Sequence, residues 1–227
     1  MVKVNDFLKN RQFMFFLILA VLIILTAVFA PIITGGVDPL EGSMENALQA
    51  PCKEHIFGTD KMGRDIFTRV IYGARASLVS TFGVVLLIFL IGTAVGVIAG
   101  CFGGIVDAAL MRIADMMVAF PGLVLALAVA GIIGSSMKNA IIAITLVSWT
   151  KYARLARSLV LKIKDRDYVS AAIVAGSRRG HIIRAYMLPN ALPILIITAA
   201  TDVGSMMLEL AALSFLGFGA KPPTPEW

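Results

Sequence analysis

Charge is scarce in this chain. Only 15% of its 227 residues are Asp, Glu, Lys or Arg, while 59% are hydrophobic. Soluble domains carry about 25% charged and about 45–50% apolar residues. With a mean hydropathy of +0.89, little chain is left for a soluble domain or a soluble active site. Cysteine and histidine are scarcer still. The two cysteines are Cys52, in a polar loop, and Cys101, at the end of an apolar run; the two histidines are His55 and His181. The two cysteines are expected on opposite sides of the membrane, so no disulfide is expected, and no CxxC or HExxH spacing occurs, so a metal site is unsupported. There is no GxxxxGKS/T phosphate loop and no nucleophile–base pair, so neither ATP hydrolysis nor another enzymatic activity is expected of this chain. The formal net charge of +6 has a plain membrane reading, lysine and arginine collecting on the cytoplasmic side. Nucleic-acid binding is not expected, because no basic soluble domain exists to carry it.

What the chain has is long uncharged runs. They give five candidate membrane spans: 13–33, 77–106, 116–137, a fourth starting at 139, and 191–220. The first is read as an uncleaved anchor, since Pro31 directly after Ala30 opposes cleavage at "AVFA". The second carries "GTAVG" and "GVIAG", small-xxx-small spacings that let helix backbones approach in lipid. Pro121 marks a kink in the third. The fourth is uncharged only to Thr150 and is expected to run on through "WTKYARLARSLV", with Lys151 snorkelling. With the N-terminus inside, thirteen of the 20 Lys and Arg residues fall in cytoplasmic segments and seven outside. That bias orients the protein with 1–12 in the cytoplasm, 34–76 outside and 151–190 inside.

The cytoplasmic stretch "DYVSAAIVAGSRRGHIIRAYMLPNALPILI" is a folded-looking polar insertion among spans. Asp167 is expected to cap a short helix with a small-residue face at Ala171, Ala172 and Ala175. Gly176 suits its left-handed end, and Ser177 is expected to cap a second helix. Pro189 is expected to set a bend before the fifth span. The product is a helix–turn–helix knuckle shaped for docking.

"SAAIVAGSRRGHIIRAYMLPN" resembles the cytoplasmic coupling loop of ABC-importer permeases. "FGTDKMGRDIFTRVIYGARASL", "DAALMRIADMMVAFPGLVLAL" and "ELAALSFLGFGAKPPTPEW" are similar to the second permease of dipeptide, oligopeptide and nickel importers. The resemblance covers nearly everything from residue 57 onward. Ser170 stands where the older pattern has Glu, and Tyr186 where relatives often have His. The resemblance implies an all-α polytopic membrane protein with the permease fold, with five transmembrane helices here and a sixth missing at the C-terminus. It implies a multi-pass protein of the bacterial cytoplasmic membrane whose core, 77–227, includes the coupling loop 161–190. Its implied partners are a second permease subunit, two ATP-binding subunits and an extracytoplasmic substrate-binding protein, in a lipid bilayer. No cofactor is implied. The implied ATPase-coupling residues are Ser170, Ala171, Ala172, Gly176, Ser177 and Pro189.

Asp202 and Glu209 sit inside the fifth span, seven residues apart and so on one helix face, with Met206 between them. Intramembrane acids are functional candidates by default. Asp202, Met206 and Glu209 are therefore read as lining a translocation path, with an interhelical hydrogen bond or salt bridge as the plainer alternative. Asp115 is read as a local pair with Arg112, and His181 as a surface or docking residue. The segment 34–76 is read as an amphipathic surface helix, a scaffold for the binding protein, or both. The C-terminal stretch looks closest to the nickel branch, and peptide remains the alternative substrate. A secondary transporter would need inverted repeats, and a channel a filter segment; neither is visible.

Overall fold

Helices carry most of the computed structural model, which describes residues 10–227. Lys3 and Lys9, and with them most of the expected cytoplasmic N-terminus, lie outside the described residues. Among those described there is no strand, only an isolated bridge between Thr59 and Asp65. The chain divides into two compact units, one up to Val79 together with Pro222–Trp227, the other Ser80–Lys221.

In the first unit, α1 (Arg11–Val28) starts where the Asn10 side chain accepts the backbone N–H groups of Gln12 and Phe13. Its side chains are apolar all round and nearly all exposed, as expected of a helix facing lipid. Phe29 interrupts it, and α2 (Ala30–Ile33) follows with Pro31 in its first turn, where a missing N–H costs nothing. A loop then leads to α3 (Ile66–Phe102). In "GTDKMGRD", Gly58 and Gly63 have φ of +74° and +71°, and a Cβ on Gly63 would lie 1.8 Å from the Ser43 carbonyl. Only glycine fits such a turn. Asp60 accepts the N–H groups of Met62 and Arg64 and the Arg64 guanidinium at 2.7 Å. Asp65 caps α3 by accepting the Thr68 N–H at 2.7 Å, and its other oxygen meets His55 Nδ1 at 3.1 Å. The stretch 66–76 is therefore the opening of α3, continuous with the second expected span, and not a separate surface helix. The residues of "PPTPEW" return to it: Trp227 donates from its ring to the Val70 carbonyl at 2.8 Å and from its backbone to Ser77 Oγ at 2.9 Å.

These carboxylates make the loop pH-sensitive. Burial opposes the charge on Asp60, but the N–H groups of Arg64 and Met62 and the Arg64 guanidinium outweigh it and hold the carboxyl below its ordinary value. At Asp65 burial is likewise outweighed, by Thr68 and then His55. A depressed folded pKa contributes stability that is fully present above the unfolded value, about 3.9, and is lost as pH falls through the folded one. Hydrogen exchange of the 58–68 amides should thus stay slow at pH 5 and lose protection below about pH 4. Protection unchanged down to pH 2 would contradict the assignment.

In the second unit, α3 ends at Phe102 because Gly103 and Gly104 take φ of +66° and +53°. The expected span 77–106 thus stops four residues early. The next apolar segment is not the single span 116–137: α4 (Gly104–Val118) and α5 (Gly122–Ile133) meet at 90°. Pro121 supplies the break, as its position suggested. Ser136 caps α6 (Met137–Lys164), which runs unbroken through "WTKYARLARSLV". Then come α7 (Asp167–Val174), α8 (Arg179–Ile182), a π turn (Ile183–Met187) and α9 (Leu188–Phe215). Three helical stretches are each long and apolar enough to cross a membrane, Arg11–Val28, Ile66–Phe102 and Arg179–Phe215, and a fourth results if the bent pair is one span. The expectation of five included α6, whose lysines and arginines take it below that apolarity.

α6 is nonetheless the central helix, packed against α4, α5 and α9. Tyr152, Ala153, Ala156 and Val160 on it are fully buried. Gly92, Gly96 and Gly100 of α3 form a stripe against it: an added Cβ would lie 2.4 Å from the Trp149 carbonyl, 2.3 Å from the Ala153 carbonyl and 2.7 Å from Val160 Cγ1 respectively. The small-xxx-small spacing is thus the seam of an intrachain helix pair.

Candidate functional site

Two places in the second unit gather the residues singled out from sequence. The first is the knuckle. α7 begins at Asp167, so Asp167 opens the helix instead of capping it, and Arg166 occupies the cap position with no side-chain bond. Its end is as expected: Gly176 has φ +79°, its N–H donates to the Ile173 carbonyl, and the Ser177 N–H donates to the Ala172 carbonyl. This is the paired closure of a Schellman end, which requires a left-handed residue. Ser177 is spent on it and does not cap α8; Arg178 stands there without a side-chain bond.

α7 has two faces. Val169 and Ala172 are buried against the body of the unit. Ser170, Ala171, Ala175 and Gly176 are exposed, beside Ile173 at 54% and Val174 at 89% exposure. The small-residue set is thus split: Ala172 anchors, and the others face outward. A cavity of about 450 Å³ lies under the knuckle, walled by Cys101, Lys164, Ile173 and Met187 among others. Tyr186 braces the turn, its ring 6.0 Å from that of Tyr168 and 6.1 Å from that of His181.

"LPN" does not end the helix. The Leu188 N–H donates to Ile183 across the π turn, and Pro189, which has no N–H, takes its place in a helix that continues to Phe215. The Asn190 amide donates to the Tyr186 carbonyl at 2.6 Å. A π turn relieves the clash between a proline ring and the preceding turn, and the Asn190 amide adds a side-chain bond back to that turn. Leu188, expected to be pushed out of the helical region by Pro189, stays in it at φ −62° and ψ −48°.

The second place is the polar step between α6 and α9. Asp202 is 4% exposed, and both its oxygens are taken: Lys151 Nζ lies 2.6 Å from Oδ1, and the Tyr152 hydroxyl donates to Oδ2 at 2.9 Å. The ion-pair alternative therefore holds for Asp202, within one chain. Lys151 pairs instead of snorkelling. Met206 is buried one turn on, and Glu209, half-buried, accepts no hydrogen bond and forms no ion pair among the described residues. Lys151, Asp202, Ser205, Met206 and Glu209 line one cavity of about 480 Å³, closed on another side by Phe120 at the α4–α5 bend.

Sequence reading missed the remaining partners of α6. Asp115 pairs with Arg154 at 2.6 Å, not with Arg112, and Asp107 meets Arg157 through two bonds of 2.5 Å. The signal was present in part, since an acid placed in a membrane helix demands a cation at the same depth. Which cation answers which acid depends on helix packing.

Comparison with known proteins agrees with this architecture. A family described as "Binding-protein-dependent transport system inner membrane component" matches residues 92–227. A second, "N-terminal TM domain of oligopeptide transport permease C", matches residues 4–51. The chain is 44% identical over 219 residues to the dipeptide transport system permease protein DppC of Alkalihalophilus pseudofirmus, covering 96% of this chain and 72% of that one. It is 40% identical over 210 residues to the probable D,D-dipeptide transport system permease protein DdpC of Escherichia coli, covering 92% and 70%. It is also 40% identical over 190 residues to the nickel transport system permease protein NikC of the same organism, covering 84% and 69%. The helical permease architecture, the knuckle and these matches together make the chain a member of the binding-protein-dependent inner-membrane permease family, the membrane subunits of ABC importers.

Proposed function

We propose that this permease forms half of the translocation path of an importer for short peptides and couples to an ATP-binding subunit through α7 and Gly176. In this reading the N-terminus and the knuckle are cytoplasmic, and 34–65 faces outward toward a substrate-binding protein. A second permease completes the path, and two ATP-binding subunits supply the energy. Ser170, Ala171, Val174 and Gly176 meet the ATPase, Ala172 holds the helix from behind, and Ser177 and Pro189 shape the turn and the π insertion. Exposed Ile173 and Val174 support the docking, since apolar side chains at a polar face invite a partner. The cavity beneath gives α7 room for two discrete positions, as coupling requires.

The peptide reading is carried by one observation: the cavity between α6 and α9 presents a lysine and an unpaired glutamate together. A free peptide carries both complementary charges. Asp202 belongs to the path through Lys151, and Met206 and Glu209 line it directly. Nickel is the second reading. The 40% identity to a nickel permease favours it, as do carboxylate and thioether groups in one cavity, although nickel prefers nitrogen and harder oxygen donors. Uptake of a labelled dipeptide and of labelled nickel, compared in cells with and without the gene, separates the two. Dipeptide uptake lost on deletion, with nickel uptake unchanged, is expected. The reverse result would move the assignment to nickel.

A further inference from the structure

We infer that Lys151 and Glu209 form a two-ended subsite that measures a short peptide, Lys151 taking its C-terminal carboxylate and Glu209 its α-ammonium. The inference rests on the peptide reading above and assigns roles within it.

An ammonium group has three N–H donors, and Asp202 uses one of those on Lys151. The Lys151 side chain is 59% exposed while that of Asp202 is 6% exposed, so the free donors of Lys151 face the cavity that both residues line. Tyr152 occupies the other oxygen of Asp202. Asp202 is therefore saturated and cannot itself bind an incoming ammonium; it is a positioning residue that aims Lys151. Glu209 is the opposite case. It lines the same cavity without an ion-pair partner among the described residues, a costly state in a membrane span unless a cation arrives.

The spacing supplies a ruler. Seven residues of α9 separate Asp202 from Glu209, a rise of about 10 Å at 1.5 Å per residue. An extended peptide covers at most about 3.3–3.6 Å per residue. The acid that holds Lys151 and the acid that would take the ammonium thus lie within the reach of a short extended peptide, with Met206 and Phe120 offering apolar surface to whatever side chains it carries.

The test uses the whole importer with its binding protein in proteoliposomes. Uptake of a labelled dipeptide is compared with that of its C-terminal amide and its N-acetyl form. The binding protein is common to all variants, so its own preference cancels when ratios are compared between them. Lys151→Met should lower the ratio of free peptide to amide at least tenfold, and Lys151→Arg should retain it. Glu209→Gln should do the same to the ratio of free to N-acetyl peptide. Because Lys151→Met leaves Asp202 buried and unpaired, the double variant Lys151→Met/Asp202→Asn is measured beside it and should give the same altered ratio. If free peptide and amide fall in parallel in the double variant, Lys151 is only a helix clamp and the inference is overturned. If the wild-type importer takes up no dipeptide form at all, the substrate reading itself fails, a result distinct from an unchanged ratio.

Discussion

Gly96→Ala should leave a markedly less stable permease, whereas Gly83→Ala should leave the protein as stable as the wild type or slightly more so. Both glycines sit in α3, and alanine is the better helix former by about 1 kcal/mol at either place. They differ in what a Cβ would touch. At Gly83 nothing lies within 4 Å; at Gly96 the Ala153 carbonyl lies 2.3 Å away and the Ala156 Cβ 2.7 Å away. Backbone cannot rotate aside as a side chain can, so α3 and α6 must separate. Overpacking of this kind costs roughly 1–3 kcal/mol and sometimes more, against a total stability of about 5–15 kcal/mol. The damage would spread, because α6 also holds α4, α5 and α9. Gly96→Val should be worse than Gly96→Ala. Thermal unfolding of the detergent-purified subunit, followed by the fraction that elutes as a single species, measures this. Equal stabilities for the Gly83 and Gly96 variants would show that the seam is looser than its geometry.

The second large effect is expected at Gly176, and there it should fall on coupling and not on folding. Gly176→Asp places a charged side chain in open space, with none of the described residues beyond its chain neighbours within 4 Å of the new Cβ. The only internal cost is the left-handed backbone, φ +79°, roughly 1–2 kcal/mol for a residue with a Cβ and less for Asp or Asn, which visit that region. Membrane insertion and the yield of subunit should therefore stay near wild type. ATP-driven uptake and co-purification of the ATP-binding subunit should fall at least tenfold, about 1.4 kcal/mol in binding. Gly176→Asn, of the same size without charge, separates exclusion by volume from repulsion. Normal co-purification and uptake with both variants would remove α7 from the docking surface.

The contrast between these two glycines explains what could be read early. The Gly176 turn was legible because its chemistry is local: a helix must end, and a left-handed closure selects glycine from the chain itself. The break at Pro121 was legible for the same reason, although its 90° angle was not. The effect of Pro189 on Leu188 was misjudged, because a π turn closed from Leu188 to Ile183 keeps Leu188 helical and carries the helix onward. Proline's local rule was overruled by neighbours that supplied other hydrogen bonds. Asp115 was misassigned because i, i+3 proximity favours Arg112, while Arg154 approaches from another helix.

The amino-acid sequence by itself determined that this is an all-helical membrane protein with a structured insertion between two spans. Those properties follow from composition, run length and turn chemistry, which act between residues close along the chain. Only the tertiary structure decided that Lys151 and Tyr152 enclose Asp202, that Glu209 lines the same cavity without a partner among the described residues, and that Ala172 faces inward while Val174 faces out. Each depends on which helix faces pack together. A rotation of α6 or α9 by one residue, about 100°, would exchange the partners of Asp202 and Glu209 without changing a letter of the sequence.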